Sequence, residues 1–195
     1  MLNNNDVIQK NIQATKVTGR DDNSQTTNNF YPTPFRCSPD LILKKLLDEH
    51  ESNKILDDSY REFSDELNNF FKQKTEKKIR DLSEKLIDGN RDYLIENAIH
   101  SKERVTRKIQ KYILYRSAQD IYTYLLTNIR TAFKHTIEGK IKSHDFKNYE
   151  IDTLVKNELI DPFFITVQGS SLCIDIDELY GILYLLTGNC HIDWD

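Results

Sequence analysis

Read for the spacing of its apolar residues, the chain divides into an unpatterned beginning and a long stretch of helical periodicity. From position 38 onward Leu, Ile, Phe and Tyr recur at intervals of three and four, the spacing that lines one face of an α-helix. The segment SPDLILKKLLDEH predicts a helix start, with Ser38 as cap, Pro39 in the first turn and Asp40 at the positive end of the dipole. Leu43, Leu46 and Leu47 then form its apolar stripe. A second helix is expected over 57–72, with Tyr60, Phe63, Leu67, Phe70 and Phe71 on one side. A third, more charged, runs from about Glu76 to Ile87 and ends at DGN, where Gly89 suits a left-handed turn.

The centre of the chain, from Arg91 to Glu138, contains no helix breaker. It is too long for an average globular helix, so two helices, or one bent near Ser117, are expected. Val105, Ile109, Tyr112 and Ile113 make one buried face; Ile121, Leu125, Asn128, Ile129 and Ala132 make another. After Gly139 the pattern changes. Two short runs with β propensity, 163–168 and 172–176, flank a GSS turn and predict a hairpin. Asp175 or Asp177 then caps a last helix with Leu179, Ile182, Leu183 and Leu186 on one face, ended by Gly188.

Residues 1–36 lack any helical period and are rich in Asn, Gln and Thr, with Val17, Phe30 and Tyr31 among them. They predict an extended arm that orders against a partner, because alone it holds too little apolar surface to offset its ordering entropy. The expected fold is therefore mainly α: a helical bundle over 37–195 with a small β-hairpin before the C-terminal helix, preceded by an extended N-terminal arm.

Composition narrows the functional classes. With 195 residues the chain holds one good core, and Gly (6) and Pro (4) are scarce, which favours helices over an all-β fold. A net charge of −4 argues against general binding to nucleic acid or anionic membrane. Three widely spaced cysteines, Cys37, Cys173 and Cys190, form no CxxC pair, so reduced thiols are expected. No leader-like or membrane-spanning apolar run is present, which predicts a cytoplasmic protein.

The candidate chemistry is thin. Arg130 and His135 form R-x4-H in RTAFKH, the spacing used by HEPN-type helical ribonucleases, with His135 as the acid–base group. On an ideal helix these positions lie about 140° apart, so they need not converge. Cys190 and His191 could serve as a nucleophile–base or metal pair, or could be a small buried thiol beside a hydrogen-bonding imidazole. Arg104, Arg107, Lys108 and Lys111 form a basic stripe that either grips phosphates or an acidic partner, or is the solvated back of an amphipathic helix. Asp175 and Asp177 are explained by capping. Walker, Rossmann, HExxH and GxSxG motifs are missing from the sequence, so neither a cofactor nor a metal is expected.

The stretch YGILYLLTGNCHIDWD resembles the C-terminal domain of bacterial ABC-three-component conflict systems. Those domains close on a Gly-x-Leu-Tyr-x-Leu-Thr-Gly-x-Cys-His-like run followed by a tryptophan. Here the run covers Gly181, Tyr184, Gly188, Asn189, Cys190, His191 and Trp194. In the arm, Val17, Gly19, Arg20 and Asp21 resemble the V-x-G-R-D strip found upstream of that domain. The resemblance implies a part in anti-phage or anti-plasmid defence beside an ABC or SMC-like ATPase and a middle component. Family members often carry an effector before the GRD strip, and about 16 residues precede Val17 here, so any effector is expected in trans. The expectation that follows is a non-enzymatic adaptor in which Tyr31, Phe35 and Trp194 serve as anchors, compatible with a homo-oligomer. A HEPN-like ribonuclease using Arg130 and His135 is the alternative.

Overall fold

The computed structural model describes residues 39–52, 64–72 and 80–195, all within one compact unit, Phe35–Asp195. The arm with Val17, Gly19, Arg20 and Asp21, the Ser38 cap, Cys37 and the Tyr60 and Phe63 positions lie outside the described residues.

Helix α1, Leu41–Ser52, is capped by Asp40, whose carboxylate accepts from the amides of Ile42 (3.0 Å) and Leu43 (3.1 Å). Leu43 and Leu47 are buried and Leu46 packs at the core edge, as the stripe predicts. Helix α2, Asp65–Phe71, begins at Ser64, whose hydroxyl accepts from Leu67 N at 3.3 Å. Helix α3, Leu82–Asp88, has a reciprocal capping box: Asp81 Oδ1 accepts from Glu84 N (2.8 Å) and Glu84 Oε2 from Asp81 N (2.9 Å).

The long central run divides as its length requires. A 3₁₀ turn at Asp92–Leu94 leads into α4, Ile95–Lys111. The chain breaks at Tyr112–Tyr115, close to the expected bend, and α5 follows over Arg116–Ala132. A π-helical turn, Phe133–Ile137, joins α5 to α6, Glu138–Ser143, without interruption. His144 then turns left-handed at φ 56°.

The expected hairpin is absent; among the described residues no strand forms. Helix α7, Asn148–Leu154, continues through a second π-helical stretch, Val155–Ile160, into α8, Asp161–Val167. The β-prone composition of FFITVQ is overridden by its surroundings. Pro162 sits in the first turn of α8, and burial falls on Phe163, Thr166 and Val167 while Ile165 is 45% exposed. A strand would have put Phe163, Ile165 and Val167 on one face. Leu172 and Ile174 tuck into the core from an irregular connection after Gly169, whose φ of 82° makes the turn.

Helix α9, Ile176–Gly188, is the centre of the molecule. Asp175 is its cap, accepting from Glu178 N at 2.8 Å. Every residue from Leu179 to Gly188 except Tyr180 is buried. A helix that is apolar on all sides must be surrounded. Here α3, α4, α5 and α8 pack around it, α4 most extensively, while α1 packs on α5 and α8 and α2 covers α5.

Candidate functional site

The C-terminal signature begins with a close helix crossing. At Gly181 a Cβ would overlap the Ser101 carbonyl of α4 and approach Val105 Cβ to 3.1 Å, so only glycine lets α4 and α9 approach this closely. Ser101, which donates to Asp177 Oδ1 at 2.6 Å, is itself buried in that seam. Tyr184, buried on the next turn, stacks on Tyr180 with ring centroids 6.2 Å apart, and burial raises its hydroxyl pKa.

Helix α9 does not end in a glycine turn. Gly188 is its last helical residue, and Cys190 takes the left-handed position at φ 60°. Cys190 N donates to Thr187 O (3.2 Å) and His191 N to Leu186 O (2.9 Å), the pair of bonds that defines a Schellman motif. Helix α3 ends in the same way, with Asn90 left-handed at φ 55°, Asn90 N donating to Ile87 O (2.8 Å) and Arg91 N to Leu86 O (2.7 Å). Gly89, expected to supply that turn, has φ −80°. Its lack of a side chain serves another need: a Cβ there would lie 2.7 Å from both Cβ and O of Trp194.

The two helix ends thus meet through the tail. The Trp194 indole is 2% exposed, donates from Nε1 to Thr187 Oγ1 at 3.1 Å and meets Phe133 edge-on at 5.1 Å. The Arg91 guanidinium lies over its face at 4.7 Å. Arg91, 1% exposed, is held by Asp152 (2.9 Å) and by the Gly89 carbonyl (2.8 Å). The acidic residues flanking the tryptophan are also bound. Lys85, fully buried, pairs with Asp193 at 2.7 Å. Arg80 bridges Asp88 (2.7 Å), Asp193 (3.2 Å) and Asp195 (2.7 Å). The Arg80 hydrogen bond holds the Asp195 carboxyl below the ordinary aspartate range.

Cys190 and His191 are structural neighbours rather than a reacting pair. Cys190, 3% exposed, directs Sγ toward Arg80 O (3.9 Å), whereas His191 places Nε2 3.2 Å from Phe70 O and its ring 5.3 Å from the Phe70 ring. Asn189 Nδ2 donates to the same carbonyl at 2.8 Å, so Asn189 and His191 together tether the end of α2. Among the described residues no group of three His, Cys, Asp or Glu side chains is placed to hold a metal ion.

The basic stripe of α4 divides: Arg104 and Lys108 pair with acidic residues at the start of α9, while Arg107 and Lys111 keep the solvated position. Arg104 pairs with Asp175 and Asp177, and Lys108 with Glu178 at 2.5 Å. Glu178 is fully buried and also accepts from Tyr122 Oη at 2.6 Å. Burial raises its pKa, and the Lys108 and Tyr122 hydrogen bonds oppose that rise. Arg104 and Lys108 are therefore a latch holding the first turns of α9. Arg107, paired with Glu103 at 2.9 Å, and Lys111 stay at the surface.

Beside the tail a cavity of about 370 Å³ is walled by Leu94, Val155, Leu183, Tyr184 and Trp194, with Asp152 and Asp177 at its polar side. The 59%-exposed Tyr93 leans over α7 and hydrogen-bonds Asp152, and burial with that contact pushes its hydroxyl pKa up to about 12. Tyr149, one turn before Asp152, is 63% exposed. On the other side of the bundle Arg130 lines a second cavity, which His191 also borders. His135 is exposed on the π-helical turn and does not line it.

Residues missed by sequence reasoning are the cations of the clasp. Arg80, Lys85 and Arg91 carry no local signature, and the one hint is a tail whose Asp193 and Asp195 have no Lys or Arg three or four positions away. No helix among the described residues is long and apolar enough to cross a membrane. No curated protein and no solved structure matches the chain. The family model described as C-terminal domain 9 of the ABC-three component (ABC-3C) systems matches residues 81–194, from the cap of α3 to the clasped tryptophan. By that match, and with the signature residues Gly181 to Trp194 forming the α4–α9 seam and the clasp, this chain belongs to the C-terminal domain 9 family of the ABC-three component systems.

Proposed function

We propose that the chain is a non-enzymatic assembly component of an ABC-three-component system, acting in anti-phage or anti-plasmid defence by docking on an ABC or SMC-like ATPase and a middle component. The observation that carries this reading is the use of the family signature. Gly181, Gly188, Cys190, His191 and Trp194 are all buried in the seam and the clasp, so the signature builds a rigid body. A rigid body with aromatic residues at its surface suits docking, because ordered anchors lose little entropy on binding.

The docking face that fits best is the α7 side. Tyr93 and Tyr149 present exposed rings there, next to the cavity walled by Tyr184 and Trp194. Affinity-tagged chain, co-expressed with the ATPase and middle component encoded beside it, is expected to co-purify with at least one of them. Replacing Tyr93 and Tyr149 together by Ala is expected to abolish that recovery while leaving the helical spectrum intact. Recovery of neither component by the wild-type chain sinks the proposal.

A further inference from the structure

The cavity beside Arg130 is separate from the clasp and from the α7 face. It measures about 630 Å³ and opens between α2 and α5. Thr123, Thr127 and Arg130, spaced four and three residues apart, form one strip of α5 along its wall. Lys72 and Asn69 close it from the end of α2, and Phe70 supplies an apolar side.

Two polar atoms in this wall stand out. Arg130 Nε and Thr123 Oγ1 are buried and have no hydrogen-bond partner among the described residues. Leaving a buried charged donor unsatisfied is costly; Lys85 is met by Asp193 at 2.7 Å and Arg91 Nε by Asp152 at 2.9 Å, while Arg91 Nη2, also without a hydrogen-bond partner, belongs to a guanidinium that lies over the Trp194 ring. Neither Arg130 nor Lys72 forms an ion pair among the described residues. Of the described lining residues Glu66 alone is acidic, so the wall carries an excess of donors and of positive charge.

We propose that this cavity binds a small phosphorylated molecule, its phosphate held by Arg130 together with Thr123 and Lys72. A phosphate offers what the wall lacks, several acceptor oxygens at tetrahedral angles, which a guanidinium fork, an ammonium and a hydroxyl can approach from different sides. The volume falls within the range of small-molecule sites, about 300–1,000 Å³, and leaves room for an organic body against Phe70. The inference is independent of the docking proposal, because none of its residues lies on the α7 face.

The test titrates the full chain with sodium phosphate and, separately, with adenosine monophosphate. Sodium chloride of matched ionic strength and sodium citrate serve as controls, with binding read by calorimetry and by Tm. Saturable binding of either phosphate compound, with a rise in Tm that the controls lack, is expected. Equal affinities would mark the phosphate group itself as the ligand, and tighter adenosine monophosphate would show that the organic body is also held. Arg130→Gln is expected to weaken binding by about tenfold or more, the loss of one charge-assisted contact. Thr123→Val is expected to weaken it by about threefold or more with the fold intact. Saturable binding of neither compound, or citrate binding as tightly, overturns the proposal. So does unchanged affinity in a folded Arg130→Gln protein, or in Thr123→Val should the arginine variant fail to fold.

Discussion

Gly181 and Gly139 occupy helices, yet they do opposite things. A Cβ at 181 would meet the Ser101 backbone, which cannot move aside as a flexible side chain would; at 139 it would meet nothing within 4 Å. Gly181→Ala is therefore expected to destabilise the protein by about 1–3 kcal/mol through overpacking. Gly139→Ala is expected to stabilise it by about 0.5–1 kcal/mol, the usual gain in a helix interior. Urea midpoints of the two variants check both signs, and equal shifts would mean that the α4–α9 seam yields. The sequence motif marks Gly181 as special but cannot say why, because the atom it must avoid lies 80 residues earlier in the chain. The same holds at Gly89, where a local reading assigns a turn and the structure assigns a neighbour, Trp194.

At the scale of elements, α9 is held as much by α4's charges as by its own apolar faces. Lys108 is the cation that allows Glu178 to be fully buried. Removing it leaves the carboxyl with Tyr122 as its remaining hydrogen-bond donor. Lys108→Met is expected to cost about 3 kcal/mol or more, and the added change Glu178→Gln is expected to restore a large part of that. Thermal melts of the single and double variants measure the coupling, and strictly additive effects would refute it. From the sequence, the apolar period placed α4, α5 and α9 correctly and Asp175 was one of two expected caps. The latch was not legible, because a basic stripe looks the same whether it faces water or an acidic helix start. The hairpin expectation failed for a related reason. Phe163–Gln168 has strand composition, but α7 delivers the chain to Asp161 already in helical geometry, and the buried set follows the helical period.

Across the whole molecule the tail draws together residues more than 100 positions apart, with Arg80 and Lys85 on one side and Asp193 and Asp195 on the other. This closure has a predictable pH dependence. Asp195 is held below its ordinary value of 3.8 by the Arg80 hydrogen bond, so the folded state binds its proton less readily than the unfolded chain does. The stabilisation is therefore complete above that ordinary value and is lost as pH falls through the lower, folded one. Asp195→Asn is expected to melt earlier than the wild type at neutral pH, by a modest margin because the carboxylate is partly exposed. The gap is expected to close in acid. A gap that does not narrow as the pH is taken progressively below 3.8 would show that the bridge to Arg80 does not titrate in this way.

The amino-acid sequence by itself determined the helical character, the main apolar faces and, through the run from Gly181 to Trp194, the family signature. These depend on spacing and on interactions within a few residues, which any stretch of chain carries with it. Tertiary structure decided which cation meets which carboxylate, why two glycines are glycines, that FFITVQ is helical, and that Arg130 but not His135 faces the α2–α5 cavity. Each of those outcomes depends on which surfaces are brought together from distant parts of the chain, and burial then sets the strength of the charges that meet there.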